Sequence, residues 1–269
     1  MAQPLNVALL GASGRMGRVI VPLLLECDDL QLSGALAAPG DKSIGQDAGV
    51  YAGVAPLAVA ITDDPAVALA GANVAIEFTL PAVSIANARL CRERGCAMVI
   101  GTTGHDAAQR DALEDIARAV PMVLAPNMSL GVNLLFKLAE LAARALDADY
   151  DIEIFEAHHR NKVDAPSGTA LGLGRAAALG RGVNLDSVGD YVRHGQTGPR
   201  KRGQIGFSVV RGGDIVGDHR LILAGPGEQV ELVHHAQDRT GFARGALAAA
   251  RWVVGRPPAL YSMMDVLGL

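Results

Sequence analysis

A glycine-rich stretch near the N-terminus narrows the folds open to this chain more than any other feature. Residues 6–10, Asn-Val-Ala-Leu-Leu, form a short apolar run, Gly11-Ala-Ser-Gly-Arg-Met-Gly17 follows, and from Arg18 to Glu26 the apolar positions recur at helical spacing. A strand, a glycine turn and a helix in that order form the context a dinucleotide site requires. Glycines let the backbone approach a pyrophosphate, and the helix N-terminus supplies a matching partial positive charge. The spacing is G-x-x-G-x-x-G rather than G-x-G-x-x-G, so it draws its force from its place at the first βα turn.

The rest of the N-terminal half extends this pattern. Strands are expected at 30–36, 59–61, 74–78, 97–100 and 122–125, and helices at 66–70, 83–94 and 107–119. Residues 37–56, with Gly40, Gly45, Gly49 and Gly53, read as a loop too long for a plain connection. Alternating strands and helices predict a parallel sheet with helices on both faces, and ligands in such sheets sit beyond the carboxyl ends of the strands. The loops opened by Gly11, Phe78, Gly101 and Ala125 gather on that edge. Among them, Gly101-Thr-Thr-Gly104 offers two hydroxyls and unhindered backbone to a nicotinamide ribose, although an ordinary strand-to-helix turn has the same composition.

Near residue 130 the pattern changes. A long amphipathic helix is expected at 132–146, then strands at 151–157, 204–211, 215–224 and 229–236, with an irregular glycine-rich stretch at 180–201 and a helix at 242–254. Strands without intervening helices imply an antiparallel or mixed sheet. The fold class is therefore α/β: a Rossmann-like parallel sheet over residues 1–130, and a second α+β domain with a mixed or antiparallel sheet over 131–240.

Composition sets the outer bounds. Of 269 residues half are hydrophobic but only 4% are aromatic, so the core is built mainly from Ala, Val and Leu. A net charge of −4 and a pI near 6.0 argue against a nucleic-acid partner. Cys27, Cys91 and Cys96 cannot all pair within the chain and read as small buried hydrophobes in a reducing compartment. No signal-peptide pattern and no membrane-length apolar run is present. A soluble, cytoplasmic protein without membrane attachment is expected.

Against that acidic background one cluster stands out: Glu156-Ala-His-His-Arg-Asn-Lys-Val-Asp-Ala-Pro-Ser-Gly-Thr-Ala170. Two imidazoles, a guanidinium and an ammonium fall between His158 and Lys162. Ser167 is suited to cap a helix, which would leave the amides of Gly168, Thr169 and Ala170 for an anion. Basic residues in a turn often form no more than a solvated surface. Beside a dinucleotide signature, however, a proton carrier, a fixed positive charge and an anion nest suit a small, multiply negative substrate that must receive a proton.

At these residues the chain resembles a known family, the 4-hydroxy-tetrahydrodipicolinate (dihydrodipicolinate) reductases of the diaminopimelate route to lysine. Gly-Ala-Ser-Gly-Arg-Met-Gly at 11–17, Glu-Phe-Thr-Leu-Pro at 77–81, Gly-Thr-Thr-Gly at 101–104 and Ala-Pro-Asn-Met-Ser-Leu-Gly-Val at 125–132 look like its nucleotide-domain motifs, 156–170 like its substrate signature, and Tyr-Ser-Met-Met-Asp-Val-Leu at 261–267 like its ending. The resemblance implies an NADH- or NADPH-dependent oxidoreductase. Gly11, Ala12, Ser13, Gly14, Arg15 and Met16 would hold the pyrophosphate, Gly101, Thr102 and Thr103 the nicotinamide end, and Ala125, Pro126, Asn127 and Met128 the passage between domains. His158 matches the family's proton donor and Lys162 the residue that polarises the substrate. His159, Ser167, Gly168 and Thr169 match groups around its carboxylates, and no metal is called for. The resemblance further implies that residues 241–269 return to the nucleotide domain and that the middle-domain sheets build a homotetramer; closure between the domains, hinging near 127–131 and 239–241, is expected to bring the two ligands together.

The chain departs from the family at the end of its second strand. An acidic residue, often followed by arginine, commonly faces the adenosine ribose there, and this chain has Ala37 and Ala38. Neither can accept from a 2′-hydroxyl or meet a 2′-phosphate, so weak discrimination between NADH and NADPH is expected; the nearest charges are Asp41 and Lys42. Of His234 and His235, neighbours on a strand, at most one can share a site with His158. Asp164 reads as a turn residue, and His194 and His219 carry no assigned role. Two rivals remain: a dehydrogenase for another small dicarboxylate, which would not require a cyclic imine, and a non-catalytic nucleotide-binding regulator, which would not need His158 and Lys162 together.

Overall fold

The structure, a computed structural model, describes residues 3–269. The chain divides into two units: one runs to Leu130 and takes back Arg239–Leu269, and the other is Gly131–Asp238.

In the first unit the strands are β1 (Leu5–Leu10), β2 (Leu30–Leu36), β3 (Ile61–Thr62), β4 (Val74–Glu77), β5 (Ala97–Ile100), and β6 (Met122–Leu124). Between them lie α1 (Gly17–Leu25), α2 (Ala48–Tyr51), α3 (Pro65–Ala68), α4 (Pro81–Arg94) and α5 (Ala107–Ala117). Successive side chains on a strand point to opposite faces, and in β1 both destinations are apolar. Val7 and Leu9 join one buried cluster, with Ile20 and Leu24 of α1, while Ala8 and Leu10 join another, with Ala88 of α4 and Leu113 of α5. A strand buried on both faces needs helices on both faces, and the sheet is accordingly all parallel. The segment after the second unit supplies α9 (Thr240–Val253), a two-residue edge strand at Leu260–Tyr261 beside β6, and a short helix at Met263–Leu267. Small residues bring helices close to this sheet: a Cβ on Gly34 would lie 1.8 Å from the Ala68 carbonyl oxygen of α3. Cys91 and Cys96 are buried as expected, whereas Cys27 is partly exposed and its Sγ donates to the Leu23 carbonyl at 3.2 Å.

The second unit contains α6 (Leu130–Ala145, starting one residue before the division), β7 (Asp151–His158), α7 (Gly168–Gly180), α8 (Leu185–Val188), β8 (Gly189–Asp190), β9 (Ile205–Arg211), β10 (Gly217–Gly225) and β11 (Glu228–Ala236). Its sheet runs β11-β10-β7-β9-β8, antiparallel at β11/β10 and β10/β7 and parallel at β7/β9 and β9/β8. One face is covered: Ile152, Ile154, Phe207, Leu221 and Leu223 pack with Leu135 and Ala139 of α6 and Leu173 and Ala177 of α7. The expected mixed sheet is present. The stretch read as irregular holds α8 and β8, each too short for a periodic signal. Among the described residues no helix is long and apolar enough to cross a membrane.

Candidate active site

In the first unit the glycine turn lies at the carboxyl end of the central strand β1, between β2 and β4. Gly11 has φ of +91°, and a Cβ there would lie 2.3 Å from the Phe78 carbonyl oxygen. A Cβ on Gly17 would lie 2.2 Å from the Ala12 carbonyl oxygen. These two glycines therefore make the turn and seat α1 against it. Gly14 differs: it is exposed, and a Cβ there would approach only the Gly11 carbonyl oxygen. The amides of Gly11 and Ala12 both donate to Leu36 O, and that of Gly14 to Gly11 O. Met16 provides no side-chain cap for α1, but the amides of Arg18 and Val19 already donate to Gly14 O at 3.2 Å and Met16 O at 3.0 Å, so the amides turned to an anion are those of the residues between Gly14 and Gly17. The turn thus fits a pyrophosphate at exposed Gly14 and Arg15. Ala12, 3% exposed, belongs to the turn's packing.

The neighbouring loops divide between buried and outward residues. Thr102 does not present its hydroxyl to solvent; it is buried, and its Oγ1 accepts the Thr79 amide at 2.9 Å. Thr103 and Gly104 are exposed and Gly101 is half-buried. Beneath them Glu77 is fully buried and accepts from Thr79 Oγ1 at 2.6 Å and from Ser84 Oγ at 2.8 Å, which ties the loop after β4 to the first turns of α4. In 125–128, Ala125 and Met128 are each 2% exposed and belong to the core beside α9, so only Pro126 and Asn127 face outward there. Asn127 Oδ1 accepts the Ser129 amide at 2.8 Å and shapes that turn. Ala37 is buried and Ala38 exposed, so neither supplies a polar group at the end of β2.

In the second unit the apolar stripe of β7 turns polar at one end. Ile152, Ile154, Glu156 and His158 alternate onto the helix-covered face. Opposite Glu156 on β10 is His219, opposite His219 on β11 is His234, and opposite His158 on β9 is Arg211. Register therefore collects Arg211, His158, Glu156, His219 and His234 on one face beside the N-terminus of α7. Glu156, wholly buried, is the hub: Oε2 is 2.6 Å from His158 Nδ1 and accepts from Arg211 at 2.8 Å, and Oε1 accepts from Arg211 at 2.7 Å and from the Ser167 amide at 2.9 Å. Burial pushes the Glu156 carboxyl up, but the bonds from Arg211, His158 and Ser167 outweigh it and hold it below the usual carboxylate range. An ionised carboxylate only accepts, so His158 Nδ1 carries a proton and Nε2 is the nitrogen open to exchange. Nε2 points to Gly217, where a Cβ would lie 3.1 Å away.

His219 meets His158 edge-on, ring centres 5.1 Å apart, and its Nε2 is 3.2 Å from Ser167 Oγ. Burial, and then the charge of His158, pull the His219 pKa down to about 4, so this ring is neutral near pH 7. His234 lies 6.4 Å from His219, while His235 occupies the opposite face with Nδ1 2.9 Å from Asp218. Among the described residues no group of three or more His, Cys, Asp and Glu is arranged to hold a metal ion.

Ser167 caps α7 through a bond from the Ala170 amide to its Oγ at 3.1 Å. That bond removes Ala170 from the expected nest, and Gly168 and Thr169 form the first turn of α7. Gly168 is exposed, and a Cβ there would meet nothing within 4 Å. A turn closed by the Lys162 amide on His159 O, at 3.1 Å, brings the lysine back, and Lys162 Nζ pairs with Asp164 Oδ1 at 2.7 Å. Asp164 is thus an ion-pair partner as well as a turn residue. His159 Nδ1 is buried without a hydrogen-bond partner among the described residues. His194 is exposed.

Residues 5–128 match the family description "Dihydrodipicolinate reductase, N-terminus" and residues 131–267 match "Dihydrodipicolinate reductase, C-terminus". The chain belongs to the dihydrodipicolinate reductase family. It is 51% identical to the 4-hydroxy-tetrahydrodipicolinate reductase of Nitrosomonas europaea, over 99% of both chains, and 54% identical to that of Ruegeria pomeroyi, over 98% of both. A solved dihydrodipicolinate reductase with bound dipicolinate, from Paenisporosarcina sp. TG-14, shares the fold at a TM-score of 0.77 and 23% identity, covering 98% of this chain and 99% of its own.

Within this dihydrodipicolinate reductase fold, sequence reasoning gave no role to Glu156, Arg211 or His219. The signal for Glu156 was present: an acid two residues before His158 on a strand shares its face. Arg211 and His219 are joined to that pair only by register, which one sequence does not display.

Proposed function

We propose that the protein reduces 4-hydroxy-tetrahydrodipicolinate, by way of dihydrodipicolinate, to tetrahydrodipicolinate, on the diaminopimelate route to lysine. The observation that carries this reading is the Glu156–His158 pair tied to the Ser167-capped helix end, with Lys162 on the turn that follows His158. The nicotinamide of NADH or NADPH, when bound at the first unit, supplies the hydride. Every other part of the reaction falls to side chains of the chain itself. Gly168 and Thr169 receive one substrate carboxylate at the N-terminus of α7, and His159 and Lys162 meet the dianion from the turn after β7. Dianion binding draws Lys162 away from Asp164, and its ammonium then stabilises the negative charge that develops on the ring nitrogen and carbons. His158 delivers a proton from Nε2, while Glu156 keeps hold of Nδ1–H and steadies the imidazolium beforehand. Arg211 and the Ser167 amide keep Glu156 ionised.

The same reading includes residues up to 130, with 241–269, as the nucleotide domain and 131–240 as the domain for substrate and assembly. It includes a cytoplasmic location and a homotetramer built through the sheets of the second unit. Val210 and Val233, each about two-fifths exposed on the face away from α6 and α7, support the assembly. The direct test is oxidation of NADH or NADPH in the presence of freshly made dihydrodipicolinate precursor. Turnover with another small dicarboxylate but not with this one would sink the reading.

A further inference from the structure

The end of β2 offers no acid, but the chain supplies one from a turn four residues beyond Ala37. Ala38-Pro39-Gly40-Asp41 reverses direction, closed by the Asp41 amide on the Ala38 carbonyl at 3.0 Å. Proline stands at the second position, and Gly40 at the third has φ of +78°, the sequence and conformation of a type II turn. The reversal returns Asp41 to the glycine turn, where Oδ2 accepts from Ser13 Oγ at 2.8 Å. Oδ1 is held from the other side by the Ser43 amide at 2.8 Å and the Ser43 hydroxyl at 2.7 Å. Three bonds therefore fix the carboxylate beside the first βα turn, and the bonds from Ser43, then Ser13, keep it below the usual carboxylate range. Oδ1 has used both its lone pairs and Oδ2 only one. The Gly11 and Ala12 amides on Leu36 O draw the end of β2 against the same turn.

We propose that Asp41 is the ribose-recognising residue of this nucleotide site, its Oδ2 accepting from an adenosine ribose hydroxyl, and that it makes the site prefer NADH. The proposal rests on the reading of the first unit as the nucleotide domain. An ionised acceptor suits a 2′-hydroxyl, which can donate to it, and opposes a 2′-phosphate, which brings like charge and no donor. This replaces the weak discrimination expected from Ala37 and Ala38 alone. Lys42 does not offset it: the side chain is exposed, and the Gln46 side chain holds only its carbonyl, at 2.7 Å.

The test is direct binding, by quenching or transfer of protein fluorescence, of NADH and NADPH to the full-length protein and to Asp41→Asn, Ser13→Ala and Lys42→Ala. The wild type is expected to bind NADH at least tenfold more tightly than NADPH. Asp41→Asn should weaken NADH several-fold and tighten NADPH, bringing the ratio near one. Ser13→Ala keeps the charge but loosens its aim, so NADH should weaken while NADPH stays excluded. Lys42→Ala should leave the ratio within about twofold. A wild type without NADH preference, or a ratio unchanged by Asp41→Asn in a variant that melts like the wild type, overturns the proposal. Absence of binding of either dinucleotide to the wild type would overturn the nucleotide reading itself.

Discussion

Replacing His219 by glutamine removes a titrating ring while leaving a side-chain amide within reach of Ser167 Oγ. The ring is 5% exposed, with its pKa pulled from 6.5 to about 4 by burial and by the neighbouring charge of His158. Between these values the unfolded chain takes up a proton at His219 and the folded chain does not. The unfolded state then binds more protons, so stability is fully present above pH 6.5 and is lost as pH falls towards 4. The difference of about 2.5 pH units corresponds to about 3 kcal/mol, at up to about 1.4 kcal/mol per pH unit within the window. For a unit of this size that is on the order of 10 °C in melting temperature.

The assay is thermal unfolding of the wild type and His219→Gln from pH 7.5 to 4, scanned at one rate. Above pH 6.5 the two melting temperatures should differ by a constant amount. Below it the wild type should fall faster, so that the variant gains on it by several degrees by pH 4. His234 remains in both proteins, and burial lowers its pKa as well, so a shallower acid-side decline should survive in the variant. Parallel curves, within about 1 °C down to pH 4, would refute the claim that His219 is held neutral by its surroundings.

Lys162→Ala should lower kcat/KM by at least about 100-fold, close to 3 kcal/mol, because it removes the cation facing the developing charge; dinucleotide affinity should not move. Retention of a tenth of wild-type turnover would disprove that role. His158→Gln should lower kcat by about 10²–10⁴-fold, whereas His159→Gln should chiefly raise KM for the dicarboxylate, and indistinguishable kinetics would mean the pair is wrongly divided. Gly217→Ala would put a Cβ 3.1 Å from His158 Nε2, and the Glu156 bond at 2.6 Å leaves that ring little room to yield. A fall in kcat of about tenfold with little change in KM is expected from so small a misplacement. An unchanged kcat would show that Nε2 is not the reacting nitrogen.

How much of this could be read beforehand depended on the range of the interactions involved. Leu30–Leu36 and Ala97–Ile100 fall where the hydrophobic pattern puts them, because apolar runs bounded by turns have one buried solution in a parallel sheet. The four-residue α2 escaped, since its definition lies in Asp47 accepting the Gly49 and Val50 amides rather than in any periodicity. The edge strand Leu260–Tyr261 is too short for a pattern and exists through its pairing with β6. For the site, the contiguous segment 156–170 declared its chemistry, because a proton carrier, a cation and a helix cap stand within a few residues of one another.

Strand geometry carried the histidines halfway. Alternation alone separates His234 from His235 and allows one of them to join His158. Deciding which requires the partner strand, because His219 faces Glu156 and His234 faces His219 only in the register that β10 and β11 adopt. Asp41 is visible in the sequence as a nearby charge, but its position is hidden for a related reason. Pro39-Gly40 announces a reversal, yet its consequence, a carboxylate set on Ser13, joins residues far apart in sequence. In both places residue type and local period name the actors, and tertiary register decides which of them meet. A substitution at the end of β2 is therefore a poor guide to cofactor choice until the path of the following loop is known.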